Sequence, residues 1–401
     1  MSERGQVAIV GAGPVGLLTA LGLARQGIAV TVLDSEPAVV RSPRAAVYFH
    51  TTISILRKLG LSDEAHEIGL SSTEFMMHWL DTGERVSSDM RDALEPGQEF
   101  DHNLHFGQHI LAELVIRHLA KLPHAQVLWN HRVTGLEQGD AGVALTCETP
   151  DGQQRIAADW VIGTDGARST VRKLMGLEFE GFTWPDRFVA TNIEYPFHDF
   201  GFAIANMVVD PVNWAVIARL GRDKLWRLTY GEDASLDEAT ILERLPERFA
   251  AILPDPSIPY RIDNFSPYRV HQRCAPTFRV GRALLAGDAA HACNPCGGLG
   301  LTGGVIDADA LSDALGAVIQ GRAEESVLDF YSRERRRVFL EVTSPMSTNF
   351  KRLLSEPDPA RRAEDKAGMI AQAGHGNADV RASSLAELIK GAAIPIEPLA
   401  V

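Results

Sequence analysis

The chain has 401 residues, of which 45% are hydrophobic and 23% charged, and its formal net charge is −13. The length predicts two domains, and the composition is that of a soluble globular enzyme. The acidity argues against nucleic acid as a partner and disfavours an anionic membrane surface. Four cysteines are too few for a disulfide framework in a chain of this length, so we expect a cytoplasmic location.

The chain opens with a strand, a glycine turn, a helix and a second strand. Residues 6–10 are a short apolar run, residues 17–26 have helical spacing before Gly27, and residues 28–33 are apolar and β-branched. The whole of Val7–Ala24 is apolar enough to suggest a membrane span, but its glycines fit a buried strand that turns into a buried helix. We therefore predict a βαβ unit and no transmembrane or targeting segment.

The later elements follow the same two periodicities. Short apolar or alternating runs between turn residues predict strands over 75–80, 84–88, 125–136, 142–148 and 158–164. Helical spacing predicts helices over 54–60, 110–122, 234–251 and from 301 to about 354. Alternating aromatic and polar residues between about 181 and 270 predict an antiparallel sheet with one face covered. Residues 355–376 are predicted to form a surface helix pair or a mobile tail.

Gly11-x-Gly13-x-x-Gly16 lies between the first strand and its helix, which is the context that a dinucleotide-binding fingerprint requires. Gly11 permits the tight turn, Gly13 lets a pyrophosphate approach the backbone, and Gly16 lets the helix lie close to the sheet. Asp34 ends the second strand, where a carboxylate can hold a ribose hydroxyl. A glycine-rich turn in an ordinary α/β protein is the alternative. The motif favours an adenine dinucleotide without separating NAD from FAD.

A second glycine-rich loop follows an apolar strand near residue 285. The strand runs into Gly287-Asp288, and a long helix starts near Leu301. This layout places a carboxylate and the backbone N–H groups of Gly300, Leu301 and Thr302 beside one anionic ligand that carries hydroxyl groups. His291 is predicted to order this loop by hydrogen bonding, and a general base is the alternative role.

Two further motifs, together with Gly11-x-Gly13-x-x-Gly16, resemble those of one family. Residues 161–169, Val-Ile-Gly-Thr-Asp-Gly-Ala-Arg-Ser, resemble the Asp-Gly motif of the single-component aromatic hydroxylases, the flavoprotein monooxygenases similar to p-hydroxybenzoate hydroxylase. Gly287-Asp288 with His291 and Pro295 resembles their Gly-Asp motif. The similarity runs from about residue 7 to about residue 337, and it is specific for the superfamily but not for a substrate. Further family positions are matched by Arg41, Arg44, Ala45 and Gln108.

The resemblance implies two sets of site residues. It places Tyr48, His50, Pro295 and Cys296 near the flavin ring and the substrate as candidate catalytic residues, although a plain strand position is the alternative for Tyr48 and His50. The implied cofactor-binding residues are Gly11, Gly13, Pro14, Val15, Gly16, Asp34, Ser35, Arg41, Arg44, Ala45, Gln108, Asp165, Gly287, Asp288, Pro295, Gly298, Gly300, Leu301 and Thr302. A turn aspartate and a surface arginine are the alternatives for Asp165 and Arg44.

The resemblance also implies a fold. We expect an α/β protein with a discontinuous Rossmann-like FAD-binding domain, a mostly antiparallel β-sheet domain that binds the substrate, and C-terminal helices. The expected boundaries are 1–72, 101–180 and 271–343 for the FAD-binding domain, 73–100 and 181–270 for the sheet domain, and 344–401 for the C-terminal helical segment. Polar or aromatic strand residues that are candidates for the cleft, depending on register, are Asn206, Trp214, Arg219 and Tyr230.

The implied activity is an FAD-dependent monooxygenation. FAD would be bound tightly without a covalent bond, and NADH or NADPH would visit as the hydride donor. Oxygen from a C4a-hydroperoxyflavin would hydroxylate a small phenolic or hydroxylated heteroaromatic substrate, with or without a carboxylate. No nucleic-acid or membrane partner is expected, and the protein is expected to be a monomer or homodimer.

Other activities stay open at this point. A flavin-dependent halogenase shares the fold, but no Trp-x-Trp-x-Ile-Pro occurs in the sequence. A plain NAD-dependent dehydrogenase and a non-catalytic flavin-binding protein are the further alternatives. Cys293-x-x-Cys296 suggests a redox or metal pair, but a zinc site would need two more ligands, so Cys296 is interpreted as a wall of the flavin pocket.

Overall fold

The computed structural model describes residues 6–93, 99–140, 142–374 and 389–396. Four sheets lie within these ranges. The strands are β1 (Gln6–Val10), β2 (Ala29–Leu33), β3 (Val47–Tyr48), β4 (Leu70–Ser72), β5 (Glu74–Trp79), β6 (Arg85–Asp89), β7 (Asn103–His105), β8 (Ala125–Leu128), β9 (Arg132–Gly139), β10 (Gly142–Thr149), β11 (Gly152–Ala158), β12 (Trp160–Gly163), β13 (Glu180–Glu194), β14 (Ala205–Val209), β15 (Ala215–Arg219), β16 (Leu225–Asp233), β17 (Arg261–Cys274), β18 (Arg279–Val280), β19 (Ala283–Leu285) and β20 (His291–Ala292).

The helices lie on both sides of the sheets and form most of the C-terminal part of the chain. They are α1 (Pro14–Arg25), α2 (His50–Lys58), α3 (Ser62–Ile68), α4 (Gln108–Leu119), α5 (Thr170–Leu174), α6 (Ile241–Ile252), α7 (Leu299–Ile319), α8 (Ser326–Val338), α9 (Ser344–Ser355) and α10 (Pro359–Gly374). A π-helical turn, Phe339–Thr343, joins α8 to α9. No helix within the described ranges has the length and apolarity needed to cross a bilayer.

A six-stranded sheet carries the predicted βαβ unit. Its order is β18-β19-β12-β1-β2-β8, and all neighbours are parallel except β18 and β19. The inner strands β19, β12, β1 and β2 are buried on both faces except at the first residues of β1 and β2, as a parallel sheet with helices on each side requires. The N-terminal βαβ prediction is confirmed, and the sheet brings the ends of β1, β12 and β19 together at one edge.

The predicted strand over 125–136 is wrong. Ala125–Leu128 pairs in parallel with β2, whereas the antiparallel meander β9-β10-β11 starts at Arg132. Asn130, with φ +58, breaks the chain between the two strands. A short apolar run does not reveal from periodicity alone which sheet it joins, so the sequence pattern merged the two strands.

An eight-stranded sheet follows in the order β20-β17-β13-β16-β15-β14-β5-β6, and its strands are antiparallel except for β14 and β5. The predicted hairpin is present as β5 and β6. One face packs against α6 through a cluster that includes Val189, Leu228 and Phe249. The other face carries a second cluster that includes Phe188, Trp214 and Cys296. The sheet therefore has one structural face and one face directed at the glycine-rich loop after β20.

Two helices begin at residues other than those predicted. The helix predicted over 234–251 begins at Ile241, after a 3-10 turn, because the Asp233 and Asp237 side chains accept backbone N–H bonds that favour turns. The helix predicted over 54–60 begins at His50. Its first turn contains Thr51, Thr52 and Ile53, which have low helix propensity but are buried, so tertiary packing decides the start.

Helices α9 and α10 pack on the second face of the large sheet, whereas α7 and α8 pack with the six-stranded sheet. The helical prediction from 301 to about 354 is confirmed as α7, α8 and α9, with breaks between them. Instead of a helix pair or tail over 355–376, α10 is a single helix docked on the β5–β6 hairpin, where Arg362 pairs with Asp81 at 3.3 Å and Lys366 pairs with Glu84. Of the predicted segment 344–401, residues 375–388 and 397–401 lie outside the described part.

Candidate active site

The glycine turn between β1 and α1 is packed at its ends and open at its centre. Gly11 has φ +109, and a Cβ there would lie 2.5 Å from the Thr164 carbonyl oxygen. A Cβ on Gly16 would lie 2.0 Å from the Gly11 oxygen, whereas none of the described atoms lies within 4 Å of a Cβ on Gly13. No side chain caps the start of α1. The open space at an uncapped helix N-terminus fits a pyrophosphate.

Asp34 ties this turn to the end of β2. One carboxylate oxygen accepts the Ala12 N–H at 2.6 Å, and the other accepts the Glu36 N–H at 2.9 Å. Asp34 and its neighbour Ser35 are both partly exposed. Because each carboxylate oxygen has more than one lone pair, Asp34 can hold the turn and still accept a ribose hydroxyl, which stays a prediction.

The second glycine motif lies directly against the first. A Cβ on Gly287, whose φ is +59, would lie 3.0 Å from a Val15 methyl, and a Cβ on Gly304 of α7 would lie 2.7 Å from the same side chain. Helix α1 also packs along α7. The two motifs that the sequence places at opposite ends of the chain are therefore two walls of one cleft.

Asp288 lies on the wall of that cleft. Its side chain has exposed surface, yet burial by the surrounding protein raises the pKa of its carboxyl. Exposed surface together with dense surroundings describes a concave site rather than an outer surface. Asp288 is therefore placed where a carboxylate can accept hydroxyl groups from an enclosed ligand, as an FAD ribityl chain offers.

The loop before α7 turns back into the cleft. Gly298 begins the helix with φ +71 and offers no side-chain cap, so the first-turn N–H groups, including those of Gly300 and Leu301, are open to a ligand. The Thr302 hydroxyl donates to the Gly298 oxygen at 3.1 Å and so supports the turn. Pro295 is exposed on this loop. The arrangement fits the anionic side of a bound flavin.

The Asp-Gly motif is a helix cap that is linked to the second glycine motif. Asp165 accepts N–H bonds from Thr170 and Val171 at 2.6 and 3.1 Å, at the start of α5. The buried Arg172 then donates to the Ala167 and Ala289 oxygens at 2.9 and 2.8 Å. The turn-aspartate interpretation of Asp165 thus has direct contacts, and a contact of Asp165 with FAD stays a prediction.

The structure brings Arg44, Ala45 and Gln108 together. The Gln108 N–H donates to the Ala45 oxygen at 3.2 Å, and the Arg44 guanidinium lies 5.5 Å from the centre of the Tyr268 ring. Arg41, by contrast, is exposed and forms an ion pair with Glu113 at 2.7 Å. Arg44 therefore faces the sheet domain, whereas Arg41 already has a surface partner.

Tyr48 and His50 follow this loop and are both buried. The Tyr48 ring stacks on Phe106 with centroids 4.3 Å apart, and its hydroxyl has no hydrogen-bond partner among the residues that the structure describes. Burial raises the pKa of Tyr48 far above its usual value, with nearby Arg227 acting in the opposite direction. Tyr48 therefore stays protonated and can donate a hydrogen bond. His50 is the first residue of α2.

Arg227, like Tyr268, is a candidate site residue that the sequence analysis missed. It lies in β16 with 9% of its surface exposed, and its Nε donates to the Asn192 Oδ1 at 2.7 Å. No carboxylate of the described ranges forms an ion pair with it. Burial lowers its pKa to about 10, so the guanidinium is cationic at neutral pH, and its charge acts on Tyr48, Tyr268 and Arg44. The available signal was that Arg227 is the one charged residue of the run from Leu225 to Tyr230.

The register of the strands determines which face of the large sheet carries each of the four candidate cleft residues. The Asn206 side chain binds His78 at 3.0 Å, and Tyr230 packs in the cluster with α6, so both belong to the structural face. Arg219 donates to the Asp223 oxygen at the end of β15 and is partly exposed. Only Trp214 of the four lies in the cluster that contains Cys296.

The two loop cysteines are free thiols, one buried and one partly exposed. Cys296 is fully buried beside the aromatic cluster, and the Cys293 sulfur would lie 3.7 Å from a Cβ on Gly300. Burial raises the pKa of both thiols to about 12, so neither is a thiolate at neutral pH. The described residues contain no group of three or more metal-ligating side chains. These findings give no support to a redox or metal pair, and a place for Cys296 in the wall of the flavin pocket stays a prediction.

The buried side chain of His105 predicts how the folding stability of the protein depends on pH. Both ring nitrogens are buried without a partner among the described residues, and burial lowers the pKa from 6.5 to about 4. The folded state thus keeps His105 neutral, whereas the unfolded chain binds a proton below pH 6.5, so stability falls on acidification. We expect the loss at pH 5, relative to pH 7, to be about 2 kcal/mol smaller in His105→Leu than in the wild type, measured by urea unfolding. The exposed His198→Leu is the matched control, and an unchanged pH dependence in His105→Leu would contradict the assignment.

The comparisons with known proteins agree with this geometry. A family profile described as an FAD binding domain matches residues 4–344. The para-nitrophenol 4-monooxygenase of Pseudomonas sp. strain WBC-3 is 47% identical over 377 residues, which are 94% of this chain and 93% of that protein. The chain belongs to the FAD-dependent aromatic hydroxylases.

Two further relatives of this hydroxylase are similar along nearly their whole length. The 6-hydroxy-3-succinoylpyridine 3-monooxygenase of Pseudomonas putida strain DSM 28022 / S16 is 41% identical over 366 residues, which are 91% of this chain and 93% of that protein. The crystal structure of p-nitrophenol 4-monooxygenase from Pseudomonas putida DLL-E4 has a TM-score of 0.92 and 44% identity, covering 97% of this chain and 98% of that one. The predicted family, α/β fold, FAD cofactor and aromatic hydroxylase activity are confirmed, and the halogenase, dehydrogenase and non-catalytic alternatives gain no support.

Proposed function

We propose that this hydroxylase inserts oxygen at a ring carbon that already carries a substituent and lies para to a hydroxyl group, and thereby displaces the substituent. The names of two relatives support this regiochemistry. Position 4 of para-nitrophenol bears the nitro group, and position 3 of 6-hydroxy-3-succinoylpyridine bears the succinoyl group. In both compounds that carbon lies para to the hydroxyl. The substrate class is therefore a phenol or hydroxypyridine with a para substituent.

The observation that carries the proposal is the buried guanidinium of Arg227 without an acidic partner in the described ranges. A buried cation is costly unless an anion compensates it, which a phenolate oxygen would do. Burial also raises the pKa of Tyr268, as it does that of Tyr48, so both hydroxyls are donors beside the same cation. The two tyrosine hydroxyls and the terminal nitrogens of Arg227 have no acceptor among the described residues, and together they match the deprotonated hydroxyl of the substrate.

A bound phenolate is what the reaction needs. Deprotonation of the hydroxyl raises the electron density at the para carbon, and the charge of Arg227 favours the deprotonated form at neutral pH. Asn192 orients the guanidinium through the hydrogen bond from Nε, which leaves the two terminal nitrogens for the substrate. Arg227 is thus proposed to bind and activate the ring without exchanging a proton itself.

FAD supplies the oxygen chemistry, since when bound it accepts hydride from NAD(P)H and activates O2 for transfer to the ring. The glycine turn of α1, Asp34, Asp288 and the start of α7 are the residues proposed to hold it. The buried cluster of Phe188, Trp214 and Cys296 is proposed to form the apolar wall of the ring-binding part of this cleft. An apolar wall excludes water, which protects a reactive oxygen species from hydrolysis.

The proposed reaction balances for para-nitrophenol. A C–O bond forms at the substituted carbon, and the C–N bond breaks with its electron pair leaving on nitrite. The ring becomes a quinone. One oxygen atom of O2 enters the quinone and the other leaves as water, and NAD(P)H supplies the two electrons that this reduction requires.

The test compares leaving groups at two ring positions. The FAD-loaded protein is given NAD(P)H with para-nitrophenol, and with meta-nitrophenol as the matched control, while nitrite, O2 uptake and H2O2 are measured. We expect one nitrite for each O2 with the para isomer and none with the meta isomer. Conversion of para-nitrophenol to a catechol that keeps its nitro group would overturn the proposal. If neither isomer is turned over, a para-acylated hydroxypyridine is tested in the same way, and failure there also overturns it.

A further inference from the structure

The loop that carries Asp288 is held from behind by a buried charge network. The Asp307 carboxylate of α7 is fully buried and accepts the Gly287 N–H at 2.9 Å and the His291 Nε2 proton at 2.7 Å. Its other oxygen accepts from Arg335 Nε at 2.6 Å. Burial acts to raise the pKa of Asp307, but His291 and Arg335 hold it well below its usual value, so the carboxylate stays ionised.

Arg335 extends the same network to the C-terminal segment 389–396. One terminal nitrogen donates to the backbone oxygens of Ile389 and Lys390 at 2.7 and 3.0 Å, and the other donates to the Gly303 oxygen at 3.4 Å. Ile389 is fully buried. The Arg335 guanidinium therefore joins segment 389–396 to α7, the helix behind the Gly287-Asp288 loop.

A second contact fixes the path of this segment. The Ala392 N–H donates to the Glu334 carboxylate at 2.7 Å. Gly391 has φ +73, and a Cβ there would lie 2.7 Å from a Val338 methyl and 2.8 Å from a Glu334 oxygen. The segment thus has a specific seat on α8, which a larger residue at position 391 would disturb.

We propose that segment 389–396 is a positioning element for the cofactor, which acts through Arg335 and Asp307 on the Gly287-Asp288 loop. The carbonyl groups of the segment fix the guanidinium, the guanidinium orients the Asp307 carboxylate, and that carboxylate holds the Gly287 N–H. Since Gly287 has a left-handed conformation next to Asp288, a shift there moves the proposed ribityl-binding carboxylate. The inference rests on the proposed contact between this loop and FAD.

The seat of the segment is tested by two variants and two controls. One variant ends the chain at residue 388, and Gly391→Val keeps every other residue but disturbs the seat on α8. A chain that ends at residue 396 controls for loss of the terminus, and Arg333→Met changes an exposed arginine of the same helix. The apoproteins are titrated with FAD, and flavin fluorescence and the flavin absorption spectrum are followed.

We expect the FAD dissociation constant to rise about 10-fold or more in both variants and to change less than about 2-fold in both controls. At saturating FAD the variants should regain wild-type turnover, because the bound cofactor itself then orders the Gly287-Asp288 loop. Wild-type FAD affinity in the Gly391→Val protein and in the shortened chain would overturn the inference. Failure of the wild type to bind FAD would instead overturn the proposed site, so the two results are distinguishable.

Discussion

Replacement of Arg227 by Met is expected to lower kcat/KM for the phenolic substrate by about 100-fold, because a charge-assisted interaction with the phenolate is lost. FAD affinity should change little, since the glycine turn and the Asp288 loop are untouched. The loss should be larger at low pH, where the free phenol is protonated and depends most on Arg227 for its deprotonation. Steady-state kinetics across pH, with FAD titration of the apoprotein, measure these effects.

Thermal stability, unlike activity, should not fall when Arg227 is replaced by Met. Arg227 is a buried cation without an acidic partner in the described part of the chain, so an apolar side chain of similar length should leave thermal stability unchanged or raise it. Arg219→Met is the matched control, because Arg219 lies on the neighbouring strand, partly exposed and hydrogen bonded to its own turn. If Arg227→Met loses stability and activity together, Arg227 has a structural role and the phenolate assignment is wrong.

Replacement of Gly13 by Val is expected to weaken FAD binding about 100-fold without unfolding the apoprotein. None of the described atoms lies within 4 Å of a Cβ at this position, and its φ of −73 suits any residue. The added methyl groups would fill the space proposed for the pyrophosphate and block its approach to the backbone. Circular dichroism of the apoprotein and FAD titration separate folding from cofactor binding.

Two other glycines calibrate this prediction. Gly16→Val should prevent correct folding, since its Cβ would lie 2.0 Å from the Gly11 oxygen. Gly139→Val should affect neither folding nor FAD, because that position is equally open but lies in the meander, where no motif points to a ligand. Equal FAD affinity of the Gly13→Val protein and the wild type would show that the pyrophosphate does not lie beside Gly13.

The sequence predicted those parts of the site that depend on local backbone geometry. Gly11 and Gly16 are required by close approaches of backbone oxygens that exclude a side chain, and Gly287 is favoured by its φ of +59. Such requirements leave a fixed spacing in the sequence. The carboxylates were located by the same spacing. Their nearest contacts could not be predicted, because Asp165 caps α5 through N–H groups whose positions depend on how the loop folds.

The substrate side of the site could not be predicted in the same way. Which face of a strand turns toward the cleft depends on register, and a shift of one residue exchanges the two faces. Tyr230 is therefore buried against α6, whereas Arg227, three residues earlier, lies beside Asn192 near Tyr48. Tyr268 comes from another strand, so its proximity to Arg44 is a tertiary fact that no local pattern carries.

The contact of Val15 with Gly287 and Gly304 also has a consequence for how the protein is made. On the ribosome, α1 emerges early, but the helix that covers it, α7, begins at Leu299 and emerges only after most of the chain has been synthesised. Until then the apolar face of α1 lacks its partner, and the cofactor cleft has only one wall. FAD therefore cannot bind between two walls until α7 has emerged, so the complete cofactor cleft forms late in synthesis.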